Sequence, residues 1–590
     1  KFYDRLPESI KMKFFHCFST DKTTSMESFA RLLIAIPLVS YVLAVLSLWV
    51  GLQINSFIFP IAVCISVLWE CSDKRIRGCV RWTTIVAVLV VLSVTLGLSA
   101  CIYDRSFDGQ WYHACTIREL VNGWNPIYSS ACNPSLIDGY TVLWVEHYPR
   151  GIETIAATIV ACMGNLDAGK VLNLWFVFSS IVYIYLFLCY CLPTMNKYLR
   201  IWIALVVALN PVVINQMCTY YIDWTLYTLL VIFLINMYLF FVKGIQRALH
   251  IDLLLLFFIP TIKFNIFFWI VLWGGICFFA LLRKSRYKHS FRLTAVCAVV
   301  VLSGIGVGAY NPYLTNWKEH GSPVYPLSGN GKVDIMDCQV LPAIRGKSNA
   351  EAALISVASN PSDDMLSEDI HVFGISKIDI LSSVASDVRI GGFGIFFFEA
   401  ILLSIVLFVC TGHIRRIRWY LSVLVGLLVS LVILPSGWWA RYVAFFYLFP
   451  FVMLFYAERF GLKTRFSRGL HILILSLLSA DIFICLSGLV VKNIVYKETI
   501  DYVLEKMESS PGEAKLYTRN YSFLDKLERR SIPYKLFPDT EMKDKLDIPC
   551  PIYMNRTDFD FETDQPWILS LRPSFQLKWS DNNRYEGQDE

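Results

Sequence analysis

The sequence predicts an all-α polytopic membrane protein of about 13 transmembrane helices, followed by a small C-terminal α/β extramembrane domain. Three observations carry that expectation. Hydrophobic residues make up 56% of the 590 and charged residues only 17%, with a mean hydropathy of +0.51; soluble globular chains run nearer ~45–50% apolar and ~25% charged. The apolar excess is gathered in segments of about 17–25 residues, the length that crosses a ~30 Å hydrocarbon core. Basic residues are sorted between the ends of those segments, as the positive-inside rule requires.

The apolar spans lie near 30–50, 56–70, 82–102, 171–192, 201–216, 223–242, 251–262, 265–282, 292–310, 391–411, 419–435, 442–457 and 470–491. Backbone groups in lipid must be satisfied within their own segment, so these stretches are expected to be helices. No alternating pattern of β-barrel strands is seen. The region around Pro260 reads either as one kinked helix or as two short helices meeting near Lys263.

The segments 71–81, 193–200, 243–250, 283–292, 411–418 and 458–468 carry 20 Lys and Arg between them. The short linkers 51–55, 217–222, 263–264 and 436–441 carry two, Lys263 and Arg441. That asymmetry puts the N-terminus in the cytoplasm and favours two helices around Pro260. The polar segments 103–170 and 311–390 and the tail from about 492 then fall outside. Residues 1–491 are read as the transmembrane domain and 492–590 as the C-terminal domain. The tail mixes helix-like stretches at 497–508 and 521–530 with a strand-like run at 567–571, and about 100 residues suffice for a unit that folds alone.

The net charge of +6 comes from loops and marks no nucleic-acid-binding face. Most of the 17 cysteines sit in apolar stretches, where Cys behaves as a small hydrophobe. Cys115 and Cys132 share one outer segment and suit a disulfide if that side is oxidising. The chain opens at Lys1 without a Met, so a longer natural N-terminus is expected, and no cleavable signal pattern precedes the first apolar run near Phe29.

Ionisable residues near a membrane are costly and default to functional candidates. Asp104 and Asp108 directly follow the span 82–102, and an amphipathic helix is expected from Gly109 to Gly123, with Asp108 at its N-terminal end. The plain reading of Asp108 is a helix N-cap. His113 lies in the same stretch. Further on come Glu146, His147 and Arg150, then Asp223, Lys263, Arg389, Arg441 and Tyr442. All map to outer loops or outer helix ends, which suggests one site on that face. Each has a bland counterpart: solvated loop residues at 146–150, interfacial caps or snorkelling side chains at Asp223, Lys263 and Arg441, and a local Asp387 pair for Arg389.

Taken in order, the D-G-x-x-Y-H stretch at 108–113, G-W-N-P at 123–126, Y-P-R-G at 148–151, N-P-Y and P-V-Y-P between 311 and 326, and R-Y at 441–442 resemble the GT-C superfamily. Its members are membrane glycosyltransferases that take sugars from polyprenyl-phosphate carriers. The resemblance runs from about residue 80 to 460; the paired acids are more loosely spaced here than in the family, with Asp104 and Asp108 four apart. It implies an inverting transfer from a polyprenyl-phosphate donor to a cell-surface polysaccharide, its lipid-linked precursor or a membrane lipid. It also implies a bacterial inner membrane, with the site and C-terminal domain facing the periplasm.

A sugar hydroxyl is a poor nucleophile and needs a carboxylate base, for which Asp108 is the candidate. The leaving phosphate needs cationic donors, for which Lys263, Arg389 and Arg441 are the candidates. Asp104, His113, Glu146, His147, Arg150, Asp223 and Tyr442 are expected to contact substrate or acceptor. No His cluster demands a metal; a divalent ion is compatible with the outward acids. The competing expectations are a secondary transporter or lipid-linked glycan flippase, and a polysaccharide polymerase or ligase.

Overall fold

The computed structural model describes residues 8–536 apart from 74–77, 131–138, 266–268, 270–274, 276–286, 334–338, 363–370, 412–416, 463, 510–513 and 517–519. The described chain is mostly helical. Six of its helices are long and apolar enough to cross a membrane: Thr23–Trp49, Arg81–Cys101, Leu166–Cys191, Asp223–Lys243, Phe291–Gly308 and Arg465–Glu505.

Their outer surfaces say what solvent they meet. The helix Gly78–Cys101 turns Trp82, Val86, Val90, Val94 and Leu98 outward, a row spaced four apart, while Thr84, Thr95 and Ser99 are buried. On the helix Tyr287–Ser303, Val299 and Leu302 are likewise exposed. Apolar residues outside and hydroxyls inside are the reverse of a helix facing water, and fit a helix facing lipid. The protein is membrane-embedded.

The first helix, Glu8–Trp49, is central. Its residues from Leu32 to Ile36 are fully buried, and it packs against Ile58–Cys71, Gly78–Cys101, Gly151–Met163 and Val171–Cys191. Several other predicted spans appear as shorter helices with a visible breaker. The stretch 201–216 divides into Lys197–Ala208 and Pro211–Gln216, because Pro211 starts a new helix whose Val213 N–H is capped by the Asn210 side chain. Around Pro260 the helix Gln246–Phe258 tightens into a 3₁₀ turn, Ile259–Thr261, that delivers Lys263. Of the expected span 265–282, only residues 265, 269 and 275 are described. The stretch 442–457 becomes a 3₁₀ turn, Ala444–Leu448, followed by Phe449–Phe460.

Inside the expected outer segment 103–170 lies a feature that hydropathy passed over. Gly151–Met163 is a 13-residue apolar helix with ten residues buried, too short to span but packed among the spans, where Thr158 bonds Ser40 of the first helix at 2.7 Å. At the opposite face from the candidate site, Arg31 bonds Glu27 at 2.6 Å and Glu70 at 3.0 Å and lies 3.2 Å from Asp73, which also meets Arg247 at 3.4 Å. This buried network ties the middle of the first helix to the end of Ile58–Cys71 and the start of Gln246–Phe258.

The expected domain border at 491/492 is not a structural break. The last long helix runs unbroken from Arg465 to Glu508, 44 residues or about 66 Å, more than twice the hydrocarbon thickness. Beyond it, Ala514–Leu516 pairs in parallel with Tyr534–Leu536, and the helix Tyr521–Arg529 connects them. That helix docks on the segment after the third helix: Arg118 meets Glu528 at 2.6 Å and Lys526 meets Asp167 at 2.8 Å. Tyr103 donates to Asp501 at 2.8 Å. The strand-like run at 567–571 lies outside the described residues, as does Cys132; its expected partner Cys115 is buried in Ala114–Val121.

Candidate functional site

The site begins with a buried, fully engaged carboxylate. Asp104 accepts hydrogen bonds from Ser106 N at 2.8 Å, Ser106 Oγ at 2.7 Å and the Tyr220 N–H at 2.7 Å. It fastens the 103–107 turn to the segment leading into Asp223. Burial pushes its carboxyl above the usual carboxylate range, against the pull of Lys170 and these donors. Gly109 must be glycine here, since a Cβ would stand 2.2 Å from Ser106 Oγ and 2.5 Å from Asp104 Oδ2.

The expected amphipathic helix is present, but it opens as a π-helical turn, Gly109–His113, before Ala114–Val121. Such widened turns recur at functional sites because they rotate side chains off the regular face. Asp108 precedes this turn and its side chain makes no capping hydrogen bond. The N-cap reading of Asp108 is thereby set aside. Its partner is distant in sequence.

That partner is Arg441. Its guanidinium lies 3.2 Å from Asp387 Oδ1, 3.4 Å from Asp223 Oδ2 and 3.5 Å from Asp108 Oδ2. It also sits 3.9 Å above the Trp439 ring, with the Tyr221 and Tyr442 rings each 5.1 Å away. Asp223 additionally receives a hydrogen bond from Lys263, whose ammonium stands 4.2 Å over Tyr442. Three carboxylates and two cations from five separated parts of the chain thus meet at one point. Of the carboxylates, Asp223 is sealed at 2% side-chain exposure, whereas Asp108 is 22% exposed. Asp108 is the acid a bound molecule would reach first.

Other expected residues lie around this centre. His113 is buried, with Nδ1 paired to Glu153 and Nε2 without a hydrogen-bond partner among the described residues. Arg389 donates to Gln339 at 2.8 Å and stands 5.7 Å from Trp439, at the edge of the cluster. Arg150 is a structural tie, binding the carbonyls of Val145 and Glu146 and the Asn311 side chain at 2.7–3.0 Å. His147 contacts Asn316 at 2.7 Å and packs edge-on to Tyr325, while Glu146 is half-buried. Arg150 and His147 thus anchor this segment to Asn311 and Asn316. Aromatic rings link the two regions: Tyr112 stacks near Trp144 at 5.6 Å, and Tyr148 meets Phe264, beside Lys263, at 5.1 Å.

Sequence reasoning missed Asp387, Tyr221, Trp439 and Glu153. Asp387 carried a signal, being ionisable near a helix end on the expected outer face, but its partner could not be read from its neighbours. Among the described residues no group of three His, Cys, Asp or Glu is disposed to hold a metal ion; the acids converge on a guanidinium.

Fold and centre together define a polytopic, mostly helical membrane protein with a mixed-charge, aromatic-walled site at one face of its bundle. In comparison with known proteins, no family model matches the chain and no curated sequence matches it.

Proposed function

We propose that the protein is an inverting membrane glycosyltransferase moving a sugar from a polyprenyl-phosphate donor to a glycan or lipid acceptor. In this reading the unassigned apolar stretches complete about 13 spans, and the site and tail face outward, the periplasm in a bacterial inner membrane. The carrying observation is the meeting of Arg441, Lys263, Asp223 and Asp108 beside an aromatic wall. Asp108 takes the proton from the acceptor hydroxyl, whose oxygen attacks the anomeric carbon. The bond from that carbon to the phosphate oxygen breaks, and the electron pair leaves with the polyprenyl phosphate. Arg441 and Lys263 stabilise the charge that grows there. Single displacement inverts the anomeric centre.

The test is transfer from synthetic polyprenyl-phosphate sugars to envelope extracts by the purified protein, with products read by mass spectrometry. Asp108→Asn should fold normally, since its side chain caps nothing, and lose about two to four orders of magnitude in transfer. Near-parental turnover in that variant removes Asp108 from the role.

One observation favours the transporter alternative. Asp252 is fully buried inside the bundle, beside the side chain of Asn236. Intramembrane acids of this kind line ion pathways in transporters. Proton- or sodium-driven solute uptake into proteoliposomes, lost in Asp252→Asn and accompanied by no transfer, would support it.

A further inference from the structure

Arg441 is already shared before any donor arrives. Asp108, Asp223 and Asp387 all converge on it, and Lys263 holds Asp223 from the other side. A phosphate brought to Arg441 would be a further anion among them. Something must give way, and the geometry says which group. Asp223 is held twice, by Lys263 and Arg441, and is almost sealed. Asp387 is close to Arg441 at 3.2 Å and also lies 3.5 Å from the Tyr221 hydroxyl. Asp108 is the most exposed of the three and makes the longest contact with Arg441, at 3.5 Å. Arg441 itself need not move when an acid leaves, because Trp439 lies 3.9 Å beneath its guanidinium.

We infer that Asp108 and the donor's phosphate compete for Arg441, so that donor binding displaces Asp108 and frees it to act as base. The inference deepens the transferase reading and rests on it. A carboxylate held by a guanidinium is occupied as an acceptor; once the phosphate takes that guanidinium, the carboxylate can turn to the acceptor hydroxyl. Until a donor binds, the centre is latched. Base action becomes conditional on a lipid phosphate being in place, the donor binds before the acceptor becomes reactive, and the product polyprenyl phosphate is retained until Asp108 returns.

Competition makes a prediction opposite to that for an ordinary binding residue: removing the charge at Asp108 should tighten phosphate binding while abolishing transfer. The probe is a short-chain prenyl monophosphate, with the corresponding prenyl alcohol as control, titrated against purified full-length parent, Asp108→Asn, Asp108→Ala and Asp108→Glu. The two neutral variants should bind the phosphate about tenfold or more tightly, the scale on which a unit charge acts on a group this near. Asp108→Glu keeps the competing charge and should bind it as weakly as the parent. The alcohol should bind all four alike. Equal or weaker phosphate binding by both neutral variants, with the parent binding measurably, overturns the competition and leaves the transferase reading standing. No phosphate binding by the parent, together with no sugar transfer, overturns both.

Discussion

Replacing Arg441 by Ala tests the centre most severely, because so many groups depend on that one side chain. Three carboxylates lie within 3.2–3.5 Å of it. After truncation, Asp223 keeps Lys263, but Asp387 and Asp108 lose their contact with Arg441. Removing one partner of a buried ion pair typically costs about 3–5 kcal/mol, mostly the penalty of stranding the other charge. Asp108 is partly open to solvent and Asp223 remains paired, so a loss near the lower end, about 3 kcal/mol, is expected. Transfer should also fall by about tenfold to more than a hundredfold, the equivalent of one charge-assisted contact of roughly 1.5–3 kcal/mol.

The assays are denaturant unfolding of the purified protein in detergent and sugar transfer at matched membrane abundance. Adding Asp387→Asn to Arg441→Ala should return part of the lost stability, since it removes a stranded acid, and the double-mutant cycle measures that coupling. Arg441→Lys should fall between parent and Ala. It keeps the charge but loses the planar fork and the stack on Trp439. Parental stability and turnover in Arg441→Ala would refute the reasoning, because a hub for three acids cannot be removed without effect.

Asp104→Asn should lower stability by about 1–3 kcal/mol, because the amide turns one acceptor into a donor facing Ser106 or Tyr220; an unchanged unfolding midpoint refutes its fastening role. His147 offers a pH test. Burial holds its pKa below the ordinary ~6.5, so the unfolded chain takes up protons first and stability should fall as pH drops through that value. His147→Asn should flatten the stability curve between about pH 7 and 5, and parallel curves for parent and variant would count against the assignment. Reporter fusions at Lys288 and Gly329, on either side of the span Phe291–Gly308, should report opposite faces of the membrane, and agreement between them would break the topology.

The sequence alone determined the solvent. Long apolar runs and basic residues sorted to one set of loops follow from the cost of exposing peptide groups and charges to hydrocarbon, a property each segment carries by itself. It also singled out Asp108, Asp223, Lys263 and Arg441, because charge beside a span is conspicuous, and Tyr442 as the neighbour of Arg441, although they are scattered over more than 330 positions. Only the tertiary structure decided what each of them contacts. Asp104 and Asp108 look interchangeable as a pair of acids four apart, yet one is enclosed by three donors and the other faces Arg441. Sequence offered Arg389 as the neighbour of Asp387, and only the fold brings Arg441 to it across the bundle. Helix 151–163 was hidden because its apolar length falls short of a span, and Asp387 because its partner is remote. Hydropathy is a local sum over neighbouring residues, whereas the partner of a buried charge is whichever opposite charge the packing of distant helices brings within about 4 Å.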